Sequence, residues 1–476
     1  MKQFMLFATT IAILLLAMSC NNPPPPHVHT FDETRWVNDE THHWHPPTCG
    51  HTNERKDVAE HTKDTGTVVE EATTEKKGKR SYNCSDCKRT LQHEDIPQIA
   101  IEVSAEKPLK QTLIDRDLQK TTSLKLAGTL SADDFKTLKE MTTLESLDIS
   151  EVTNDTIPAN AFEASYFKTI KLPKGLKSIE DDAFRNSNLI ELIIPEGVTE
   201  IGNRLLFDSK KLTKLVIPGS VEIVGRWILQ VTSKDVHGNH YIDSSIPDVT
   251  LVLSEGIKEL APSAFWGSAI KEVIIPSSIT VISDWCFSNS RLEKITFHDN
   301  ITKIGGWAFE SCKLKFENNK LILPKNTKVL GPFAFYLYYA QRNEIVLNDN
   351  LEVIYQGALI TCINKTLEIP ASVKKLYRGT FVVDPDGLDS VVFRGETPPE
   401  YCKNIDPENI TYNKETGEYE GPLDTVPPKI EINDKIKEKY KNLKAYVPAA
   451  SLEAYKTALL TDTDFEPFKS ENIIAK

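Results

Sequence analysis

The chain has 476 residues, with 56 Lys and Arg against 68 Asp and Glu, a net charge of −12 and a pI near 5.5. That sign of charge repels phosphate backbones and anionic headgroups, which excludes nucleic acid and an anionic lipid surface as partners. With 40% apolar residues the chain can bury a continuous core, arranged either as two or three domains or as one long repeat array.

Residues 1–19 read as a targeting segment: Lys2, then an apolar run from Phe4 to Met18, then small residues. Leu16-Ala17-Met18-Ser19-Cys20 resembles the lipobox of bacterial lipoproteins, which implies cleavage before Cys20 and acylation of that residue. Two or three acyl chains make a firm anchor, where a single chain binds marginally. Pro23–Pro26 would then be a stiff spacer within residues 20–26.

Residues 27–97 hold eight of the eleven histidines, together with Cys49, Cys84 and Cys87. Cys84-Ser-Asp-Cys87 places two thiolates on one tight turn, suited to one edge of a tetrahedral zinc site. The expected ligand set is Cys49, His61, Cys84 and Cys87, with His45 or His51 as substitutes for His61. Three cysteines leave one unpaired in an oxidising compartment, which disfavours a disulfide framework, although a redox pair at Cys84–Cys87 stays open. A structural zinc is the expected cofactor. A zinc enzyme is the remote alternative, because no HExxH string occurs. Trp36 and Trp44 are expected to form the small core of the segment. The stretch is similar to a small Cys/His module of bacterial repeat-bearing surface proteins, where the second Cys is usually followed by Gly and not by Lys88.

Residues 98–157 read as a cap. Leu109 to Leu118 is amphipathic, Ser123–Gly128 alternates as a strand, and Ser131 is a natural N-cap with Asp133 and Asp134 in the first turn.

From 158 to 395 one unit repeats: apolar-x-apolar-Pro, a turn, apolar-x-x-apolar, then Ala-Phe and a small residue. The aromatic or its aliphatic substitute recurs at Phe162, Phe184, Phe207, Leu229, Phe265, Phe287, Phe309, Phe335, Leu359 and Phe381, mostly in steps of 22. A period of that length implies a solenoid. The pattern resembles the BspA-like class of leucine-rich repeats, carried by surface proteins of gut and oral bacteria. The resemblance implies an α/β leucine-rich-repeat solenoid, with short parallel strands and helical or 3-10 turns on the other face. It also implies adhesion and protein interaction, not catalysis.

Three insertions interrupt the period. The longest, Gln230 to Ile246, carries His237 and His240, a hydrated loop or else a metal pair. The others surround Lys313–Lys320 and Phe335-Tyr-Leu-Tyr-Tyr. The residue before the Ala-Phe pair is Trp227, Ser263, Trp285, Trp307 and Phe333 in successive units, an aromatic ladder that either packs or offers ring faces to a glycan. Cys286, Cys312 and Cys362 occupy small core positions and are expected to be inert. Residues 396–476 read as a polar loop, a last strand and a helix capped by Ser451.

The expected function is a non-enzymatic binding or adhesion lipoprotein of the cell envelope, anchored in the outer membrane, with surface display implied by the family and a periplasmic placement left open by the residues. Its expected partner is an extracellular or envelope protein, and it would touch the membrane only through the lipid. The alternative is a carbohydrate-binding accessory lipoprotein that uses Trp227, Trp285, Trp307 and Phe333.

Overall fold

The computed structural model describes residues 28–49, 53–74, 76–96, 98, 100–113, 120–234, 240–337, 344–360, 363–377, 379–381, 388–402, 411–413, 418–420, 442–460 and 468–476. The targeting segment, Cys20, the proline spacer, His51, His237 and Cys362 lie outside them. The chain forms two compact units that meet in sequence at 99/100. Among the described residues no helix is long and apolar enough to cross a membrane.

The first unit consists of two small antiparallel sheets. One joins β1 (Val37–Asn38), β2 (His42–His45) and β3 (Lys56–Glu60); the other joins β4 (Thr67–Glu70), β5 (Gly78–Asn83) and β6 (Thr90–Ile96). The only buried apolar side chains among its described residues are Trp44 and Cys84, and Val58 and Val69 are exposed. Trp36 stacks on His45 at 3.8 Å and meets His43 edge-on at 4.5 Å, so imidazoles stand where aliphatic side chains would usually pack.

The second unit is a solenoid of stacked parallel strands with few helices. A row of three- and four-residue strands runs through Thr169–Lys171, Glu191–Ile193, Lys214–Ile217, Thr250–Leu253 and onward to Lys444–Val447. A second row of mainly two-residue strands runs from Thr156–Ile157 through Ser178–Ile179 and Glu200–Ile201 to Glu400–Cys402. Alternation turns Leu192, Leu215, Leu251, Val273, Leu321 and Ile345 inward along one column. At the strand ends the carbonyls of Pro173, Pro195, Pro218, Pro276, Pro324 and Pro370 each accept an N–H from three residues on, closing a turn that the missing proline N–H does not disturb.

The Ala-Phe segments are turns rather than helices. The N–H groups of Asn160, Phe162 and Ala164 donate to the carbonyls of Asp181, Ala183 and Arg185 in the next unit, and the pattern recurs at Asp182, Phe184 and Asn186. Every second N–H therefore leaves its own turn and builds a third inter-repeat ladder. Such outward N–H groups require left-handed backbone at fixed places: φ is 58° at Asn160, 57° at Asp182, 53° at Arg204 and 60° at Ser263. The third unit corrects the expected column, because Arg204 takes that left-handed place and Leu206 fills the core instead of Phe207. Phe207 is half-buried under the Arg185 guanidinium, 5.5 Å from its ring centroid.

Phe162 and Phe184 stack at 5.3 Å, and Phe287, Phe309 and Phe335 continue the stack at 5.8 and 5.2 Å. The N-terminal cap has the helix Ala132–Glu140, whose Ser131 and Asp134 form a reciprocal capping box. Asp134 also accepts the N–H of Leu109 at 2.7 Å, tying the helix Leu109–Thr112 to it. At the other end a 3-10 turn, Ala449–Ser451, leads into the helix Leu452–Leu459, and the Ser451 side chain makes no capping bond. Tyr455 is buried there and donates its hydroxyl to the Gly395 carbonyl at 2.7 Å.

Candidate functional site

In the first unit the side chains of His43, His61, Cys84 and Cys87 converge, with one ligand atom from each lying within 4.8 Å of all the others. His43 comes from β2, His61 follows β3, and the two cysteines flank the turn between β5 and β6, so both sheets contribute. The Nδ1 of His43 is 3.5 Å from Cys84 Sγ, and the Nδ1 of His61 is 3.6 Å from Cys87 Sγ. His61 Nε2 donates to the Asp39 carbonyl at 3.0 Å, and His43 Nε2 is 3.5 Å from an Asp86 carboxylate oxygen. A nitrogen facing a carbonyl must carry the proton, which leaves Nδ1 of a neutral His61 with its lone pair toward sulfur.

Burial raises the Cys84 thiol, but hydrogen bonds from His61 in its doubly protonated form and from backbone N–H groups outweigh it and bring the group down to about 6. Cys87 moves up, through burial and the neighbouring Cys84. His61 moves up, chiefly through its bond to the Asp39 carbonyl. Lys88 holds φ at 60°, the left-handed backbone that glycine adopts freely, so the knuckle closes despite the lysine.

His43 stands in the place expected for Cys49. The Cys49 thiol is outside this group and lies 3.2 Å from His29 Nδ1. His45 is also outside it, bonded to the Arg35 carbonyl at 2.9 Å and stacked on Trp36. The register shifts between His43 and His45, where Asp57 and Val58 of β3 form a bulge opposite Trp44 and Asp57 takes φ 54°. His43 was missed because four consecutive residues, His-His-Trp-His, gave no hint of which imidazole the bulge would turn inward.

In the second unit the aromatic ladder packs. Trp285 and Trp307 stack at 5.1 Å and Trp307 and Phe333 at 5.3 Å. Trp307 and Phe333 are buried, and Trp227 and Trp285 are half-buried. The stack ends on Gly357, where an added Cβ would lie 2.4 Å from the Phe333 ring. The faces between Trp285, Trp307 and Phe333 are covered by one another, whereas Trp227 has Ser263 as its neighbour in the next unit and makes no such stack among the described residues. Trp227, Trp285, Trp307 and Phe333 all have φ between 50° and 53°, bulky side chains in a conformation that the third ladder imposes.

Six copies of the BspA-type leucine-rich-repeat region match residues 120–235 and 258–384. The chain belongs to the BspA-type leucine-rich-repeat family. No curated protein matches its sequence. Among solved structures the chain is similar to a leucine-rich repeat protein from Bacteroides ovatus, at 15% identity over 59% of this chain and 88% of that one, with a TM-score of 0.32. It is also similar to the pneumococcal vaccine antigen PcpA, at 17% identity over 86% and 99%, TM-score 0.30. A leucine rich cell surface protein from Faecalibacterium prausnitzii matches at 17% identity over 76% and 96%, TM-score 0.26.

The BspA-type solenoid exposes the outer side of its longer-strand row. Ile193 pairs in register with Val216 and Val216 with Val252; Ile274 pairs with Thr296 and Ile322 with Val346. Of these, Ile322 is 67% exposed, Ile274 64% and Ile193 50%. Beside this apolar line runs a charged one, with Lys214 bridged to Glu191 at 2.8 Å, Lys320 to Glu344 at 3.4 Å, and Lys294 paired with Glu272. Between Thr250–Leu253 and Glu272–Ile274, which belong to separate hydrogen-bonded sheets, lies an open cleft of about 690 Å³.

The long insertion forms a hairpin from Ser233–Lys234 and His240–Tyr241. His240 packs edge-on against Trp266 at 4.7 Å. Arg291 holds the hairpin's base by donating to the carbonyls of Ile246 and Asp243 and to the Asp248 carboxylate. Cys286 and Cys312 are fully buried, and burial drives both thiols up, Cys312 to about 12, which keeps them protonated and inert.

Proposed function

We propose that this protein is a non-enzymatic binding lipoprotein of the cell envelope, anchored through Cys20, that engages a protein partner across the outer side of its longer-strand row. The observation that carries this reading is the line of β-branched aliphatics at Ile193, Val252, Ile274, Ile322 and Val346, each at least 40% exposed. A contiguous apolar patch with a polar border is the usual mark of a protein contact. Isolated exposed aliphatics need no explanation, but five on one face of one strand row, with Val216 and Thr296 interleaved, form a surface. The mixed charges of the neighbouring line add register without a net field, which suits a protein partner better than a polyanion. The burial of Trp307 and Phe333 leaves only Trp227 and Trp285 part-exposed, which supports the protein reading over the carbohydrate one.

The test places a photo-crosslinking residue at Ile274 or Ile322 on intact cells, with Glu259 on the other strand row as control. A discrete adduct at the first two positions and none at the third is expected. Absence of any adduct at both aliphatic positions overturns the proposed face. Labelling with radioactive palmitate, lost in Cys20→Ala, tests the anchor, and protease shaving of whole cells tests surface display.

A further inference from the structure

The four side chains of the first unit are arranged as a ligand set and not as a hydrogen-bond cluster. In tetrahedral zinc coordination, with Zn–S near 2.3 Å and Zn–N near 2.0 Å, a nitrogen and a sulfur ligand lie about 3.5 Å apart. The His43–Cys84 and His61–Cys87 N–S separations are 3.5 and 3.6 Å. Both imidazoles present the same atom, Nδ1, to the sulfurs. Their Nε2 atoms face outer acceptors, the Asp39 carbonyl and the Asp86 carboxylate. That is how metal-bound histidines are held in orientation.

A second, independent observation is the unit's missing core. Its described residues bury Trp44 and Cys84 but no Leu, Ile, Val or Phe. A domain this small with so little apolar burial needs a staple, either a disulfide, a metal or a partner chain. Cys49, Cys84 and Cys87 are all free thiols. The four converging side chains come from both sheets, so an ion bound there would cross-link β2 and the segment after β3 to the β5–β6 turn.

We propose that His43 and His61, through Nδ1, and Cys84 and Cys87, as thiolates, bind one zinc ion that closes the N-terminal unit. Two sulfurs and two imidazoles in tetrahedral array suit zinc over harder divalent ions. The two sulfurs bind as thiolates, any proton still on them passing to solvent, and no redox step is involved. All four positions are filled by protein, which makes the site structural. This inference does not depend on the binding face of the solenoid, and either could fail without the other.

The test is metal analysis of the full chain purified without chelator, followed by exchange of the bound ion for cobalt(II). About one zinc per chain is expected, and the cobalt form should show the intense visible bands of a tetrahedral site with thiolate-to-metal charge transfer. Cys84→Ser should lose the ion and Cys49→Ser should keep it. Asp86→Ala leaves all four ligands in place and should weaken metal affinity about 10-fold to 100-fold by releasing His43. If Cys84→Ser fails to fold, the cobalt spectrum of the unmodified chain and the Asp86→Ala titration decide. A metal-free folded chain, an oxidised Cys84–Cys87 pair, or an ion lost in Cys49→Ser but retained in Cys84→Ser overturns the site.

Discussion

Between residues 28 and 98 the described chain buries two apolar side chains, whereas from Ile101 to Ile473 one apolar cluster runs through every repeat. The two units thus hold themselves together by different means. In the solenoid each repeat covers its neighbour's hydrophobic column, so stability accumulates along the stack and no single residue decides it. In the first unit four polar side chains converge at one point, and under the proposed zinc site losing one of them would remove the join. Concentrated chemistry makes a fold fragile at one place; repetition spreads the same burden.

Chelation is the sharpest way to break that comparison. Treatment of the full chain with a strong zinc chelator should abolish amide-exchange protection across β1 to β6 and leave protection of the solenoid strands unchanged, as read by hydrogen-exchange mass spectrometry. Equal loss in both units would mean that they are not held by different means. Next in size is Phe309→Ala, which removes the middle ring of the Phe287–Phe309–Phe335 stack. It should destabilise the solenoid by about 3–5 kcal/mol in denaturant unfolding, with exchange in β1 to β6 unaffected.

Two backbone substitutions probe the left-handed positions. Asn186, at φ 51°, donates its N–H to the Phe207 carbonyl of the next repeat. Asn186→Val should cost about 1–2 kcal/mol of solenoid stability, since a β-branched residue tolerates that conformation poorly. Lys88→Gly should move the other way, raising the stability of the first unit by about 1 kcal/mol as the strain at φ 60° is relieved.

The smallest effect is expected at low pH. Burial pushes the Asp148 carboxyl up, but the Ser150 hydroxyl and N–H and the Lys171 ammonium outweigh it and hold the group below its usual 3.8. A folded-state value below the unfolded one stabilises above pH 3.8, and that contribution is lost as the pH falls through the folded value. Asp148→Asn should therefore lower the thermal midpoint slightly at pH 7 and flatten its fall below pH 4, as measured by calorimetry.

The repeat architecture was legible in the chain because a buried column demands the same side chain at the same place in every unit. Pro173, Pro195 and Pro218 and the Ala-Phe pairs mark that demand one repeat at a time, and Cys286 and Cys312 fit it as small core residues. The capping box at Ser131 and Asp134 was legible for a similar reason, since its bonds are local. In the candidate site, His61, Cys84 and Cys87 could be read from residue type and spacing. His43 could not, because a bulge in β3 opposite Trp44 sets the register of the neighbouring imidazoles and Cys49 looked nearer in kind.

By itself, then, the sequence determined the period of the solenoid, the identity of its core and three of the four clustered side chains, all of which depend on residue type and short-range spacing. Only the tertiary structure decided that the Ala-Phe segments are turns with N–H groups handed to the next repeat. Those bonds exist only between copies, and they force Trp227, Trp285, Trp307 and Phe333 into a backbone conformation that no local preference favours. The same distinction explains the burial of the aromatic ladder. A single Trp beside an Ala-Phe pair carries no sign of exposure, and stacking against the next repeat covers its face.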